Sequence, residues 1–234
     1  MPARPSTDQL AQTLLPHVER RVGDSPRFLL GLAGPPGAGK SALADALRAA
    51  FERAQGVDTA VVVGMDGFHL RQDELERRQL GHVKGAPETF AADGFVGLLR
   101  NLRRAHQTVV APRFDRAIEE PVEADILVTS SHRLVVVEGN YLLFDGPWAP
   151  VRTLLDETWH LYVPDSARIP LLIDRHVAFG RTPSEARKWV MRSDEANARL
   201  VAAVAHRADA ILDTSTGHFT ETTASKRSRG NPSA

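Results

Sequence analysis

The sequence predicts an α/β fold in which a parallel sheet carries helices on both faces. Two observations indicate this class. Short apolar runs, several of them rich in β-branched residues, alternate with longer stretches of helical periodicity, which is the order expected of a doubly wound parallel sheet. A glycine-rich segment at residues 34–41 also separates the first apolar run from a helical stretch, and such strand-to-helix turns bind phosphate groups.

The elements follow from the periodicity of apolar residues. A short amphipathic helix is expected within residues 1–24, because apolar residues recur at helical spacing over residues 10–18. Strands are expected at residues 28–33, 59–63, 108–111, 124–128, 133–137, 158–163 and 210–212. Further helices are expected at residues 40–55, 93–102, 166–178 and 183–207. Pro112 should end the third strand, since proline donates no ladder hydrogen bond.

The length predicts a single domain over residues 1–213. A chain of 234 residues forms one α/β domain with a substantial core, and a second domain would be cramped. Residues 214–234 are rich in Ser, Thr, Gly and basic residues with few large apolar ones. This composition predicts a frayed, flexible tail.

Composition excludes several classes of function. The chain has 29 basic and 29 acidic residues, so no global field favours nucleic acid, which is not an expected partner. Cysteine is absent, which excludes disulfides and zinc thiolate sites and fits a reducing compartment such as the cytoplasm. No stretch approaches the ~20 apolar residues that span a bilayer, so no membrane association is expected.

Residues 34–41 read GPPGAGKS, a complete GxxxxGK[ST] phosphate-binding loop. In such a loop the backbone N–H groups surround a polyphosphate and the next helix adds its positive N-terminal dipole. Lys40 is expected to reach the β- and γ-phosphates, and the Ser41 hydroxyl to ligate Mg²⁺. The expected nucleotide-binding residues are Gly34, Pro35, Pro36, Gly37, Ala38, Gly39, Lys40, Ser41 and Ala42.

Two carboxylates directly follow predicted strands. In an open α/β sheet the ligand lies beyond the carboxyl ends of the strands, where Asp66 and Glu138 are expected. Phosphoryl transfer to a hydroxyl needs a carboxylate that accepts the hydroxyl proton and an acid near Mg²⁺. Asp66 fits the first role and Glu138 the second. The competing interpretation is structural: Asp66 opens an Asp-Gly turn, and Glu138 caps the sheet edge.

Five segments together resemble a known family. They are GPPGAGKS, MDGFHL at residues 65–70, KGAPETF at 84–90, APRFDR at 111–116 and VVVEGNYLL at 135–143. The ordered set is similar to the phosphoribulokinase/uridine kinase family, and within it to the nucleoside/nucleotide kinase branch that resembles pantothenate kinases and sugar kinases. The resemblance covers residues 25–213. It implies a P-loop NTPase fold with a helical lid at about residues 164–182, and the use of ATP and Mg²⁺.

The resemblance also implies roles for individual residues. Asp66 corresponds to the base that activates the substrate hydroxyl, and Glu138 to the acid near the metal. Arg175 and Arg181 fall in the lid region, where family members carry arginines that fold over the phosphates; Arg168 is a further candidate. Guanidinium groups there would neutralise charge that develops during transfer. A solvated helix face explains each arginine equally well.

Loops between the core strands hold the candidate substrate-binding residues. These are His69, Lys84, Glu88, Arg113, Asp115, Asn140 and Tyr141. Residues 84–90 lack the Asp with which uridine kinases hold ribose hydroxyls, so uridine is a doubtful substrate, and Ala91 replaces an Asp common in relatives. As ordinary loop charges these residues need no function.

The leading hypothesis is a kinase that transfers the γ-phosphoryl group of ATP to a hydroxyl of a small metabolite, such as a nucleoside, a sugar or a pantothenate-like molecule. The catalytic residues would be Asp66, Lys40, Arg175 and Arg181. The alternative is an accessory ATPase or nucleotide-dependent switch that hydrolyses ATP to regulate a protein partner. A catalytically silent nucleotide-binding module is disfavoured by the intact motifs. The sequence leaves the oligomeric state open and is compatible with a homodimer.

Overall fold

The structure is a computed structural model that describes residues 4–115 and 117–223. Its strands are β1 (Phe28–Ala33), β2 (Ala60–Gly64), β3 (Val109–Asp115), β4 (Glu120–Val128), β5 (Leu134–Gly139), β6 (Glu157–Tyr162), β7 (Ala210–Asp213) and β8 (His218–Glu221). Its α-helices are α1 (Thr7–Val22), α2 (Lys40–Gln55), α3 (Gln72–Arg77), α4 (Ala92–Leu102), α5 (Ala149–Leu154), α6 (Asp165–Ala178), α7 (Pro183–Trp189) and α8 (Glu195–Ala203).

The main sheet has six strands in the order β2-β5-β1-β6-β7-β8. All neighbouring strands are parallel except β7 and β8, which are antiparallel. The central strands β1 and β5 are buried along their whole length, which explains their continuous apolar sequence. The predicted α/β fold with a parallel sheet is confirmed.

Helices cover both faces of this sheet. On one face the apolar sides of α1 and α2 pack with the sheet through residues such as Leu14, Leu47 and Phe51. On the other face α4 and α5 form a second core around Phe95 and Leu99. The layers hold the sheet rigidly, so the loops at its strand ends have fixed positions.

The strands predicted at residues 108–111 and 124–128 do not join the main sheet. They form a separate antiparallel hairpin, β3 and β4. Pro112 does not end β3 but lies inside it, at a shift of register between Ala111 and Arg113, where a proline needs no ladder partner. Burial in β3 alternates, with Val109 and Ala111 inside, so this segment behaves as a half-buried antiparallel strand rather than a central parallel one.

The prediction of a flexible tail from residue 214 onward is wrong for residues 218–221. His218–Glu221 forms β8, which pairs with β7 at the edge of the main sheet. The Phe219 ring packs against His17 and Trp159, with ring centroids 5.1 and 5.0 Å away. This apolar contact orders a segment whose composition is otherwise polar. Residues 224–234 lie outside the described part of the chain.

The helix predicted at residues 183–207 is interrupted. The α-helical segments α7 and α8 are joined by a π-helical segment, Val190–Asp194. A π-helical turn contains one residue more than the α-helical turn and often marks a functional position. Asp194 ends this segment, and its location is described with the site below.

A search of helices within residues 4–115 and 117–223 for a bilayer-spanning segment finds no candidate. The longest helices there, α1 and α2, have 16 residues each. Both carry charged residues between their apolar ones, as expected of helices that pack one side against a sheet.

Candidate active site

The carboxyl ends of β1, β2 and β5 lie side by side. Gly64 of β2 pairs with Glu138 of β5, and Ala33 of β1 pairs with Gly139 of β5. Because the three strands are parallel, the segments that follow them meet at the same edge of the sheet. The phosphate-binding loop, Asp66 and Glu138 therefore converge, which the strand positions in the sequence predict.

The phosphate-binding loop joins β1 to the N-terminus of α2. Gly37 and Gly39 have φ angles of 78° and 85°, in the left-handed region that favours glycine. A Cβ on Gly37 would lie 2.7 Å from Leu172 Cγ of α6, so this position also needs glycine for space. The backbone N–H groups of the loop and the positive end of the 16-residue helix α2 thus lie together, as in a site that binds a phosphate group.

Lys40 is the first residue of α2 and is buried. Its Nζ donates to the Pro35 carbonyl at 3.1 Å and to Asn140 Oδ1 at 2.7 Å. These contacts hold the ammonium group across the loop. Asn140, expected to bind substrate, instead holds Lys40 in this structure and also lines the cavity described next.

A cavity of about 790 Å³ runs along this edge. Its walls include Lys40, Ser41, Asp66 and Glu138, so the four residues expected to handle phosphate, metal and proton face one space. Asp66 lies in a short 3-10 turn, Met65–Phe68, directly after β2. The neighbouring Gly67 is required by packing, because a Cβ there would lie 2.4 Å from the Pro112 carbonyl oxygen of the hairpin.

Ser41 and Glu138 form the candidate metal site. Ser41 Oγ donates to Glu138 Oε1 at 3.2 Å, and Glu138 is 8% exposed. Hydroxyl and carboxylate oxygens suit Mg²⁺, which takes only one or two protein ligands when phosphates supply others. Among the described residues no group of three or more His, Cys, Asp and Glu forms a cation site by itself. The residues present therefore fit a metal that a nucleotide helps to hold.

Two further candidate residues line the cavity from the loops after β2. His69 Nδ1 lies 2.8 Å from the Asp66 carbonyl oxygen, and its ring packs between Phe90 and Phe114. Lys84 donates to the Glu119 carbonyl at 3.0 Å. Both side chains border the cavity, so they remain predicted substrate contacts.

The structure places other candidate residues apart from this cavity. Arg113 pairs with Asp125 at 2.6 Å and lies beside a smaller pocket that Asp66 and Glu138 also border. Asp115 accepts from the Ala117 N–H in the hairpin, and Glu88 is exposed on a short turn. The sequence could not separate these loop charges from the cavity residues, since loop position alone does not define orientation.

Tyr141 is fully buried, and its hydroxyl donates to the Gly85 carbonyl. Burial raises the pKa of Tyr141, and the charges of Asp66, Glu88 and Asp194 raise it further, so the group stays a neutral phenol. Through its hydrogen bond to the Gly85 carbonyl, Tyr141 holds the loop around Gly85. Its position suits a structural role better than the direct substrate contact expected from sequence.

The region predicted as a lid, at about residues 164–182, contains α6 and the segment that leads into α7. Arg175 and Arg181 both line the cavity, and Arg181 lies over the Trp189 ring at 4.3 Å from its centroid. Arg168 differs: it is 1% exposed and donates to the Pro36 carbonyl at 3.2 Å. Arg175 and Arg181 therefore remain candidates for phosphate contact, whereas Arg168 binds the phosphate-binding loop itself.

Sequence reasoning missed four polar residues of the cavity wall: Glu119, His176, Asp194 and Asn197. His176 Nε2 lies 2.9 Å from Asp194 Oδ2. Asp194 and Asn197 are buried and lie three positions apart, which places them on the same side of the helix. That side otherwise faces the core, for example through Val201. Two polar residues at this spacing, on the otherwise apolar side of a helix, are the sequence feature that could have identified them as site residues.

His160 of β6 is buried beside the loop. It pairs in register with Ala33, the last residue of β1, and its Nδ1 has no hydrogen-bond partner. Burial, followed by the positive charge of Lys40, lowers the pKa of His160 to about 4. The imidazole is therefore neutral near pH 7 and adds no positive charge to the site.

Comparisons with known proteins agree with this geometry. The chain is 37% identical over 183 residues to "Putative uridine kinase C227.14" of Schizosaccharomyces pombe, covering 75% of this chain and 78% of that protein. It is 33% identical over 204 residues to "Uncharacterized protein YggC" of Escherichia coli, covering 85% and 84%. No protein-family model matches.

A solved structure supports the same relationship. The crystal structure of a "putative fructose transport system kinase" from Silicibacter sp. TM1040 is similar with a TM-score of 0.75 and 37% identity, covering 86% of this chain and 95% of that one. The fold, the phosphate-binding loop and these relatives define the chain as a P-loop small-molecule kinase that uses a nucleotide. It belongs to the phosphoribulokinase/uridine kinase family, as the five sequence segments predict.

Proposed function

We propose that the protein transfers the γ-phosphoryl group of ATP, bound with Mg²⁺, to a hydroxyl group of a small metabolite of the nucleoside, sugar or pantothenate-like type. The observation that carries this proposal is the cavity shared by Lys40, Ser41, Asp66 and Glu138. It joins a phosphate-binding loop to a carboxylate on a separate strand end. A hydrolytic switch needs the loop but does not need a cavity wall for an acceptor.

Asp66 is the proposed general base. It begins the turn after β2 and faces the cavity, so an acceptor hydroxyl bound there would pass its proton to the carboxylate as the oxygen attacks the γ-phosphorus. The turn is held by the close packing of Gly67 against Pro112. This packing keeps the carboxylate in place before substrate binds.

Lys40, Arg175 and Arg181 are the proposed charge-stabilising residues. Lys40 is held at the start of α2, where the ammonium group adds to the positive end of the helix. The two arginines border the cavity from the lid region. Their guanidinium groups would neutralise negative charge on the transferring group once water is excluded.

Ser41 and Glu138 are the proposed ligands of Mg²⁺. When bound, the ion would neutralise charge on the β- and γ-phosphates. The hydrogen bond between the two side chains, 3.2 Å long, keeps both oxygens at one place. Glu138 accepts from Ser41, and both residues stay oriented toward the phosphate-binding loop.

The substitution Asp66→Asn tests the proposal. ATP affinity should stay within about twofold of the unmodified protein, while kcat should fall by a factor of 100 or more, on the order of the contribution of a general base. Affinity is measured with a fluorescent ATP analogue, and turnover by release of ADP together with detection of phosphorylated acceptor. The matched control is Asp93→Asn, the same change at an exposed position of α4.

Near-normal turnover in Asp66→Asn would exclude the proposed base. Release of phosphate with no phosphorylated acceptor, across nucleosides, sugars, sugar alcohols and pantothenate, would favour the hydrolytic switch instead. The Lys40→Ala variant supplies the blank for both measurements.

A further inference from the structure

The cavity that holds Asp66 has another acidic residue in its wall. Asp194, at the end of the π-helical segment, lines the same cavity and is 9% exposed. One turn further along the chain, Asn197 also lines it and is 6% exposed. Neither residue is needed to hold phosphate or metal. Buried polar groups that face a cavity are suited to bind a ligand.

Asn197 contacts the loop around Gly85, which lines the same cavity as Asp66. Asn197 Nδ2 donates to the Gly85 carbonyl at 3.2 Å, and the Tyr141 hydroxyl donates to the same oxygen. Asp66, in the turn after β2, and Asp194, at the end of the π-helical segment, line this cavity from different elements.

Two of the cationic side chains that line the cavity, Lys84 and Arg181, also contact other groups of the protein. Lys84 Nζ lies 3.0 Å from the Glu119 carbonyl oxygen and 3.7 Å from Glu119 Oε2. The Arg181 guanidinium lies over the Trp189 ring. Asp66, Asp194 and Asn197 contribute carboxylate and amide oxygens to the cavity wall, and these oxygens accept hydrogen bonds from hydroxyl groups. An acceptor with its own carboxylate would meet like charge there, which disfavours binding.

The His69, Phe90 and Phe114 rings of the cavity do not form a slot for a nucleobase. The His69 ring centroid lies 4.0 Å from that of Phe90 and 4.6 Å from that of Phe114. A base inserted between two of these rings would need roughly twice the spacing of one stacked pair. The three rings therefore fill the space between them.

We propose that the phosphate acceptor is an uncharged sugar or sugar alcohol, and that Asp194 and Asn197 bind hydroxyl groups other than the one that is phosphorylated. His176, 2.9 Å from Asp194, orients the carboxylate. This inference rests on the kinase activity proposed above. It adds the chemical class of the acceptor and two residues that recognise it.

The unmodified protein supplies the first test. ADP release and product formation are measured with matched pairs that share hydroxyl groups and differ by a carboxylate: ribitol with ribonate, and glucitol with gluconate. Fructose, uridine and pantothenate complete the panel. The expected result is activity with an uncharged polyol or sugar, and a kcat/KM at least about tenfold lower for the carboxylate member of a pair, equivalent to about 1.4 kcal/mol.

The second test uses Asp194→Asn. The KM for the acceptor should rise at least about tenfold while the KM for ATP changes by less than about twofold, since Asp194 is proposed to bind the acceptor and not the nucleotide. The matched control is Asp174→Asn, the same change at an exposed position of α6. If thermal melting shows that Asp194→Asn is unfolded, Asn197→Ala is tested instead, and the same changes in the two KM values are expected.

Three results would overturn the inference while leaving the kinase proposal intact. They are a preference for pantothenate or an aldonate, a preference for uridine over every sugar and polyol, and an unchanged acceptor KM in a folded Asp194→Asn or Asn197→Ala variant. Hydrolysis of ATP with no phosphorylated product from any member of the panel would instead overturn the proposed kinase function, and the inference with it.

Discussion

The Arg168 guanidinium of α6 donates a hydrogen bond to the Pro36 carbonyl of the phosphate-binding loop across 3.2 Å. The same group pairs with Asp165 at 2.7 Å and with Glu195 of α8. A buried arginine of α6 thus connects this helix to α8, which carries Asn197, and to the phosphate-binding loop. Removal of Arg168 would take this counter-charge from both Asp165 and Glu195.

Arg168→Ala should destabilise the fold and weaken ATP binding together. Breaking a buried ion pair costs about 3–5 kcal/mol, and the loop loses a hydrogen bond at Pro36. The expected result is a lower free energy of unfolding in urea and a higher KM for ATP. Arg168→Lys should recover part of the stability because it restores the charge. Arg53→Ala, at an exposed position of α2, is the control. Unchanged ATP affinity in a folded Arg168→Ala protein would contradict this coupling.

Gly37→Ala should impair nucleotide binding more than it impairs folding of the sheet. The residue has a φ of 78°, and a Cβ would lie 2.7 Å from Leu172 Cγ and 3.0 Å from Arg168 Cγ. The loop or α6 must move, so ATP affinity should fall at least about tenfold, measured with a fluorescent ATP analogue. Gly97→Ala is the control, because a Cβ there meets no neighbouring atom within 4 Å and α4 should gain about 0.5–1 kcal/mol of stability.

Glu138→Gln should change the dependence of activity on Mg²⁺. The amide keeps the hydrogen bond with Ser41 but lacks the negative charge that a hard cation prefers. The Mg²⁺ concentration for half-maximal activity should rise several-fold, while the melting temperature changes little. The titration is repeated with Glu123→Gln, the same change at an exposed position of β4. Identical Mg²⁺ curves for Glu138→Gln and the unmodified protein would remove Glu138 from the metal site.

The stability of the protein should fall as pH decreases from about 6.5 to about 4. His160 has a pKa of about 4 in the folded chain, against 6.5 for an unperturbed histidine. In this window the unfolded chain binds a proton that the folded chain does not, so lower pH favours unfolding. Between pH 7 and pH 5 the loss attributable to His160 should be roughly 1–2 kcal/mol.

His160→Gln should abolish that part of the loss, because glutamine does not titrate. Thermal or urea denaturation at pH 7 and pH 5 compares the variant with the unmodified protein. Glu157 supplies a separate effect: its pKa is lowered to about 2 by hydrogen bonds from His17, Trp159 and Arg21 that outweigh the opposing effect of burial. Stability from Glu157 is therefore lost only below about pH 4.5, outside the window of the test. An equal loss between pH 7 and pH 5 in both proteins would rule out His160 as the cause.

The sequence predicted the parts of the site that depend on strand ends. Residues 34–41, Asp66 and Glu138 each follow or end a buried parallel strand, and the sheet order brings those ends together. Apolar runs define such strands, and a glycine pattern defines the loop, so local sequence contains both signals. For the same reason β1, β2 and β5 were predicted close to their observed positions.

Other features depended on contacts that no local pattern reveals. The hairpin β3–β4 leaves the main sheet, and β8 forms because Phe219 packs on Trp159 and His17. The sequence predicts a phosphate contact for Arg168 as for Arg175 and Arg181, but in the fold Arg168 donates to the Pro36 carbonyl. Orientation of a charged side chain depends on its tertiary neighbours, which helical spacing does not specify.

The number of residues in the π-helical segment before α8 determines which residues of α8 line the cavity. Each α-helical residue turns the chain by about 100°, so a deletion of one residue between Val190 and Asp194 would swing Asn197 and the rest of α8 around the helix axis. The amide would leave the cavity wall although every residue outside the deletion kept its identity. Insertions and deletions at residues 191–193 would therefore change the proposed recognition of the acceptor although Asp194 and Asn197 keep their identity.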